Sequence, residues 1–333
     1  MVGVLSPEWC RGVDEVSYDL SERLVIGIAS SALFDLTESD AVFRGQGEES
    51  YRSYQEEHLD DTLKPGVAFP FVRRLLSLND LSPALDNPLV EVIVLSRNDP
   101  DTGLRVMRSI RAHGLPITRA VFMQGRSPHR FMPAFNMSLF LSANQGDVRE
   151  AVNAGLPAGY VLGPVVADDT NDRDLRVSFD FDGILADGAS EQVYQSGGIE
   201  GFREHEIANA DTAHDPGPLR DFLAAVNRIQ RREEEERQKD HEYRLRVHVS
   251  IVTARNAPAH ERAVMSLKRW GLRVNDAFFL GGIDKGDVMK VLKPHIFFDD
   301  QASHLVSTSR TTPSVHVPFG QINEQAPPAP APD

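Results

Sequence analysis

An internal repeat constrains the fold of this 333-residue chain more than any other feature of its sequence. Residues 25–30 align with residues 177–182 at an offset of 152, and Pro65 aligns with Pro216 at an offset of 151. From Ser96 onward the offset is 157, and the agreement extends over more than a hundred residues. A self-similar pattern of this length predicts two copies of one structural unit in tandem.

Both copies alternate between apolar runs and amphipathic stretches. In the first copy, residues 24–29 and 90–95 have the composition of buried strands, whereas residues 38–58 and 68–78 have the spacing of amphipathic helices. Strands that alternate with helices are typical of a largely parallel, doubly wound sheet, with helices on both faces. The predicted fold class is therefore α/β, with two tandem doubly wound units.

The predicted domains follow from this repeat and from two changes of composition. The polar segment 167–173 separates the copies, and the end of the sequence is rich in Pro and Ala, which is typical of disorder. The expected parts are a lead-in (1–23), a first α/β half (24–170), a second α/β half (171–320) with a helical insertion at about 188–244, and a disordered tail (321–333).

The two copies differ in the residues that could carry chemistry. Two pairs of aspartates and one lysine follow predicted strands in the second copy, and the first copy has uncharged residues at the aligned positions. The aligned pairs are Asp180 with Ile28, Asp182 with Ser30, Lys285 with Pro128, Asp299 with Ser142, and Asp300 with Ala143. Only a hydroxyl group is kept in both copies, as Ser96 and Thr253. The first copy is therefore predicted to be degenerate, and the second to be chemically active.

Asp180 and Asp182 stand at the end of the apolar run that begins at Val177, and Gly183 follows them. Residues two apart on an extended chain project from the same face. Burying two like charges side by side is unfavourable unless a cation or a proton lies between them. The ordinary structural alternative is an acidic strand end that caps the next helix.

Four short motifs lie at the ends of four predicted strands, at the edge where open α/β sheets bind ligands. In chain order they are Asp180-x-Asp182, Thr253-Ala254-Arg255, Lys285 after two glycines, and Asp299-Asp300. Each motif alone has an ordinary explanation, such as a helix cap or a surface lysine. Together they combine carboxylate oxygens that suit Mg²⁺ with a hydroxyl and an ammonium group that suit a phosphate.

The order of these motifs resembles that of the haloacid dehalogenase-like phosphatases. The resemblance implies that Asp180 is the nucleophile and forms an aspartyl-phosphate, and that Asp182 is the general acid and base. It also implies which residues bind phosphate and metal. The implied phosphate-binding residues are Thr253, Ala254, Arg255 and Lys285, and the implied Mg²⁺ ligands are Asp180, Asp182 (through its carbonyl), Asp299 and Asp300.

Five further segments narrow the resemblance to the cytosolic type I 5'-nucleotidases, over about residues 24–320. These segments are 30–34, 70–72, 253–255, 293–301 and 316–320. The resemblance implies Mg²⁺-dependent hydrolysis of nucleoside 5'-monophosphates such as AMP. It also implies that the insertion at about 188–244 forms a cap, in which Phe202, His205 and Glu206 are candidates for contact with the base or ribose. Packing within the cap is the alternative for Phe202.

Two other functions stay open at this point. The first is a phosphatase of the same mechanism that acts on a sugar phosphate or another metabolite, because one fold supports many substrates. The second is a catalytically inactive nucleotide sensor. The intact set of motif residues argues against a sensor, since a sensor has no need of a nucleophile.

The degenerate half has its own expected role. It lacks the aligned aspartates but contains the hydroxyls of Ser30 and Ser96 and the arginines Arg97 and Arg126. A cleft with hydroxyls, arginines and no acids suits a bare phosphate. This half is expected either to bind a nucleotide effector without turnover or to brace the catalytic half and an oligomer.

Charge and composition exclude several partners. The net charge is -14, with 49 acidic and 35 basic residues, which argues against binding to nucleic acid or to an anionic membrane. The single cysteine, Cys10, fits a reducing compartment. No apolar run approaches the length of a membrane span, and the first residues do not resemble a signal peptide. A cytoplasmic homo-oligomer is expected.

Overall fold

The structure is a computed structural model, and it describes residues 18–84 and 87–320. Most of the expected lead-in, including Cys10, and the expected disordered tail at 321–333 lie outside the described residues.

Among its described residues, the first half contains five strands and five α-helices, besides short 3-10 turns. The strands are β1 (Leu24–Ile28), β2 (Val90–Ser96), β3 (Arg119–Phe122), β4 (Leu139–Ser142) and β5 (Ala158–Leu162). The helices are α1 (Ser30–Leu33), α2 (Thr37–Glu57), α3 (Phe69–Ser77), α4 (Pro100–Ala112) and α5 (Gln145–Asn153). The strands and helices predicted at 24–29, 38–58, 68–78 and 90–95 are present, with ends that differ by one residue.

The second half repeats this pattern. The strands are β6 (Leu175–Phe179), β7 (Val247–Thr253), β8 (Asp276–Phe279), β9 (Ile296–Asp299) and β10 (Ser314–His316). The helices are α6 (Ala189–Ala208), α7 (Arg220–Lys239), α8 (His260–Trp270), α9 (Lys285–Leu292) and α10 (Ala302–Thr308). Helices α2 and α6 are both interrupted at a glycine with positive φ, Gly47 and Gly198 respectively.

All ten strands form one sheet, in the order β3-β2-β1-β4-β5-β10-β9-β6-β7-β8. Counted from the outer edge to the centre, the order is β3, β2, β1, β4, β5 in the first half and β8, β7, β6, β9, β10 in the second. The strands of the two halves therefore correspond one to one. Within the described part of the chain every strand pairing is parallel except β5 with β10, where the halves meet. The fold is thus α/β with a mixed sheet, and one sheet spans both halves.

Apolar side chains cover both faces of the sheet. Along β1, Ile26 belongs to a core cluster on one face, and its neighbour Val25 belongs to a cluster on the other. Phe71 of α3 joins the first cluster, and Val148 of α5 joins the second. Strands that are buried on both faces appear in sequence as continuous apolar runs, which is why these strands could be predicted.

The strand register corrects the alignment of the first strand by one residue. Ile28 pairs with Leu141 of β4, whereas Phe179 pairs with the corresponding residue of β9. The next residue in each half is Ala29 or Asp180, whose backbone N–H donates to the neighbouring strand at 2.8 Å. Asp180 therefore corresponds to Ala29, and the alignment of Asp180 with Ile28 is wrong.

The loop after β6 is one residue longer than the loop after β1, which explains this error. Isolated bridges join Phe34 to Pro65 and Ala186 to Pro216, so the offset is 152 after the loop and 151 within the strand. The longer loop turns at Gly183, with a φ of +70° that L-residues rarely adopt. The additional residue thus lies where the first aspartate motif turns.

The predicted helical insertion contains two different helices. Helix α7 packs on the sheet, because Phe222 lies with its ring centroid 6.0 Å from that of Phe179 and 5.8 Å from that of Phe298. Only α6 therefore remains as an element of the predicted range 188–244 that could act as a cap. Among the described residues, no helix combines the length and apolar character needed to cross a bilayer.

Candidate functional site

Three predicted site residues lie at the same edge of the sheet. Asp180 directly follows β6, Thr253 ends β7, and Asp299 ends β9. These strands are parallel neighbours, so their carboxyl ends coincide. Asp180, Thr253 and Asp299 are each at most 3% exposed. The sequence prediction that these motifs meet at one edge is consistent with this placement.

Lys285 joins two of the aspartates. Its Nζ lies 2.7 Å from Oδ2 of Asp180 and 2.7 Å from Oδ2 of Asp299. Lys285 is the first residue of α9, and Asp284 caps that helix by accepting from the N–H of Gly286. Burial lowers the pKa of the Lys285 ammonium, but the two carboxylates outweigh burial and raise it. The lysine is therefore a buried cation shared by two buried acids.

Asp300 has an oxygen that could receive a cation. Its Oδ1 is buried and has no hydrogen-bond partner among the described residues. Burial and the neighbouring Asp299 raise the pKa of Asp300 well above its usual range. A Cβ at Gly183 would lie 2.3 Å from Oδ2 of Asp300, so only glycine lets the first motif approach this carboxyl group so closely.

The carboxylates form an acidic cluster with one histidine. Asp180, Asp299 and His304 each offer a ligand atom, and these atoms lie within 4.8 Å of one another. Nδ1 of His304 is 3.2 Å from both carboxylate oxygens of Asp299. Burial raises the pKa of Asp180 to about 6 despite the opposing charge of Lys285. A buried excess of acids over bases, with an orphan oxygen nearby, fits a bound divalent cation.

His304 is not among the site residues predicted from the sequence. It lies on α10, five residues after Asp299, and histidines near acidic residues are common in sequences. The internal offset of 157 aligns it with Asp147, so a comparison of the two copies beyond the four motifs could have identified it.

Arg255 holds the second aspartate of the first motif. Its Nε and Nη2 lie 2.7 Å and 2.6 Å from the two carboxylate oxygens of Asp182. This is the bidentate geometry that makes arginine–carboxylate pairs strong and directional. Arg255 was expected to bind phosphate, but in this structure its guanidinium faces Asp182. The neighbouring Ala254 is exposed, and Thr253 accepts from the backbone N–H of Arg255 at 3.3 Å.

Glu206 of α6 is the centre of a buried ion-pair network. One of its oxygens pairs with Arg255, and the other accepts from Nη1 of Arg262 at 2.9 Å and from Oγ of Ser190 at 2.7 Å. Burial alone raises the pKa of Glu206, but its hydrogen bond with His214 and the charge of Arg255 lower it far below its usual range. Glu206 is thus a buried carboxylate with both oxygens occupied.

The other two α6 candidates lie beside this network. Phe202 is 9% exposed, and its ring centroid lies 5.3 Å from the guanidinium carbon of Arg255. His205 is partly exposed, with Nε2 3.3 Å from Nη1 of Arg262. Of the three candidates for nucleoside contact, Glu206 is engaged in ion pairs with two arginines, and Phe202 packs against one of them. His205 is the most accessible of the three.

In the first half the structure brings together two of the four candidates. Oγ of Ser30 and Oγ of Ser96 are 3.0 Å apart and buried. Arg97 instead forms ion pairs with Asp147 and Glu150 of α5.

Arg126 is exposed, and its Nε donates to the carbonyl of Met123. Asp147 is buried and also lies within 3.4 Å of Oγ of Ser142. The expectation that this cleft contains no acids is therefore wrong, because Asp147 occupies it and neutralises Arg97.

Two comparisons with known proteins indicate the same family. The sequence model of a family described as 5'-nucleotidase matches residues 16–324. The chain is 29% identical over 292 residues to cytosolic 5'-nucleotidase 1B of Homo sapiens, and the alignment covers 86% of this chain and 47% of that protein. The chain thus spans about half the length of the curated relative that it matches.

Among solved structures, a histidinol dehydrogenase from Elizabethkingia anophelis aligns with 88% of this chain and with 52% of its own length. The identity is 11% and the TM-score is 0.20, which is too low to support an argument about the fold.

Proposed function

Since this chain belongs to the 5'-nucleotidase family, we propose that it hydrolyses nucleoside 5'-monophosphates to nucleosides and inorganic phosphate. The observation that carries the proposal is the buried acidic group at the carboxyl ends of β6 and β9, in which Lys285 is shared by Asp180 and Asp299. Burying such a group costs stability, and groups of this kind are common at functional sites.

Asp180 is the proposed nucleophile. A carboxylate oxygen attacks the phosphorus atom, the bond from phosphorus to the 5' oxygen breaks, and the phosphoryl group becomes an aspartyl-phosphate on Asp180. Lys285 lies within 2.7 Å of this carboxylate, so its ammonium group can orient the nucleophile and interact with the phosphoryl oxygens. Thr253 ends the adjacent strand and can contribute its hydroxyl to the same oxygens.

Asp182 is the proposed general acid and base. As an acid it gives its proton to the 5' oxygen as that oxygen leaves. As a base it then takes a proton from the water that attacks the aspartyl-phosphate, which releases phosphate and restores the Asp180 carboxylate. Arg255 holds both oxygens of Asp182, so this carboxyl group has a defined orientation.

A divalent cation, which we propose is Mg²⁺, would be held by Asp180, the carbonyl of Asp182, and Asp299 or Asp300. When bound, it would offset the repulsion between the acids and the phosphate dianion. The support is the orphan Oδ1 of Asp300 together with the carboxylates of Asp180 and Asp299, which lie with His304 in one cluster. Carboxylate oxygens suit Mg²⁺.

We further propose that the two halves are copies of a haloacid dehalogenase-like unit and that only the second is catalytic. The shared strand order and the equivalent glycine interruptions of α2 and α6 support this reading. Helix α6 then takes the position of a cap, because it carries Glu206 into contact with Arg255 beside the site. The proposed boundary stays near residues 167–173.

The substrate, the location and the assembly of the protein are also proposals. A nucleotide substrate and a cytoplasmic location are supported by the family and by the name of the human relative. The homo-oligomer stays a prediction. The nucleotide effector stays untested, and because Arg97 is engaged by Asp147 and Glu150 we now expect no effector site in the first half.

One panel of assays tests the proposed function. Phosphate release is measured from the common nucleoside 5'-monophosphates and from several sugar phosphates, each with Mg²⁺ and with a chelator. We expect release from nucleotides that stops with chelator. Faster release from a sugar phosphate would favour the rival substrate class, and no release from any compound would favour the inactive sensor.

A further inference from the structure

The network around Glu206 has a counterpart in the first half. There, Arg105 of α4 donates through Nη1 to Gln55 of α2 at 3.1 Å and through Nε to the carbonyl of Asp61 at 3.0 Å. In the second half, Arg262 of α8 makes the same two contacts, with Glu206 and with a carbonyl at 2.9 Å. Helix α2 of the first half and helix α6 of the second are thus held by the same pair of arginine contacts.

The difference between the halves lies in the second oxygen of Glu206. Gln55 is a neutral amide, whereas Glu206 is a carboxylate that also binds Arg255. The residue of the first half that matches Arg255 is Asn98, since the backbone N–H of each donates to the hydroxyl at the end of the preceding strand. The negative charge of Glu206 therefore occurs only in the second half, where Arg255 is present and binds Asp182.

This difference separates two roles of position 206. The hydrogen bond to Arg262 is structural, because the degenerate half retains it through an uncharged side chain. The ion pair with Arg255 has no such counterpart. The Arg255 side chain is only 1% exposed, and its guanidinium contacts Glu206 at one end and both oxygens of Asp182 at the other.

We propose that Glu206 is a positioning residue that acts through Arg255 to hold Asp182 in the orientation from which it serves the leaving oxygen. The inference rests on the proposed function, because it assumes that Asp182 protonates that oxygen. Helix α6 would then contribute to the orientation of Asp182 in addition to covering the site. If α6 moves, Glu206 moves with it, and Arg255 transmits the displacement to Asp182.

The test compares two substrates that differ only in the leaving atom. They are adenosine 5'-monophosphate and its analogue in which sulfur replaces the bridging 5' oxygen. A thiolate leaves without a proton, whereas an alkoxide needs one. The ratio of kcat/KM for the two substrates therefore reports on the general acid, while contacts with the nucleoside cancel.

Glu206→Gln is the central variant, because the amide can retain the hydrogen bond to Arg262 as Gln55 does to Arg105. We expect kcat/KM for the oxygen substrate to fall about 10- to 30-fold and that for the sulfur analogue to fall less than about threefold. Arg255→Lys keeps the charge but loses the two-pronged contact, so it should show the same selective loss. If Glu206→Gln folds poorly, Arg255→Lys tests the same contact in its place.

Two reference variants separate the possible failures. Asp182→Asn should show the largest selective loss, and equal losses for both substrates in this variant would contradict the proposed acid role and the inference with it. Gln55→Ala removes the matching contact in the first half and should leave the ratio unchanged. A selective loss in Asp182→Asn with equal losses for both substrates in Glu206→Gln and Arg255→Lys would show a merely structural role and overturn the inference.

Discussion

The two halves of this protein use one framework and differ in the charges at the strand ends. In the second half, Lys285 lies between Asp180 and Asp299. In the first half, Ala29 takes the place of the first aspartate, and the buried Asp147 is paired with Arg97.

In the second half the buried carboxylates outnumber the lysine, so negative charge remains that could bind a cation. In the first half the carboxylate of Asp147 is neutralised by Arg97. The comparison teaches that the same framework of buried apolar residues can carry very different charges at one edge of the sheet.

Removing the proposed nucleophile should make the second half most like the first. Asp180→Asn should lower phosphate release more than about 10³-fold, or about 4 kcal/mol of activation free energy, because an amide is a poor nucleophile. Circular dichroism should show an unchanged fold. Asp287→Asn, an exposed carboxylate on α9, is the matched control and should keep full activity. Near-normal turnover by well-folded Asp180→Asn would exclude the covalent mechanism.

Removing the shared lysine should destabilise the second half. The first half has no equivalent lysine, since Pro128 aligns with Lys285. Lys285→Met leaves two buried carboxylates without their cation and should lower the free energy of unfolding by about 3–5 kcal/mol. Urea denaturation measures this loss.

Lys290→Met is the control for this experiment, because Lys290 is an exposed lysine on the same helix. It should change the free energy of unfolding by less than about 0.5 kcal/mol. Equal stability of Lys285→Met and the unmodified protein would show that the buried acids are protonated or compensated without the lysine.

The proposed cation site should be confined to the second half. Asp300→Asn should weaken Mg²⁺ binding by about tenfold or more, because it replaces a buried carboxyl group, whose Oδ1 has no partner among the described residues, by a neutral amide. Calorimetry with Mg²⁺ alone measures the affinity, and excess Mg²⁺ should restore part of the activity.

The matched control for the cation site is Ala143→Asn, at the aligned exposed position of the first half, and it should leave metal binding unchanged. An unaltered affinity in Asp300→Asn would assign the cation to other ligands.

The smallest expected effect concerns nucleotide binding by the first half. Arg97 is engaged by Asp147 and Glu150, so we expect calorimetry on Asp180→Asn protein to find one nucleotide site per chain. Arg126→Ala should not change that number. A second site that disappears in Arg126→Ala would restore the effector role of the first half and would make the two halves functionally, as well as structurally, alike.

Some of the site could be predicted because it lies in continuous motifs. The aspartates and Lys285 follow apolar strands, and parallel strands that end in polar residues place them at one edge. Other parts could not be predicted in this way. Strands β5 and β10, where the halves join, are absent from the sequence prediction, because short runs such as Ser314–His316 have too few residues for a periodic pattern.

The sequence by itself determined the α/β class, and it singled out the acidic, basic and hydroxyl residues of the candidate site, since these depend on local composition and on the order of motifs. Only the tertiary structure decided what each charge faces. Arg255 is in the motif that was expected to bind phosphate, yet its guanidinium holds Asp182 and Glu206. Arg97 was expected to face a phosphate, and it faces Asp147. The reason is physical: a buried charge takes the nearest opposite charge in space, and that partner is 73 residues away for Arg255 and Asp182.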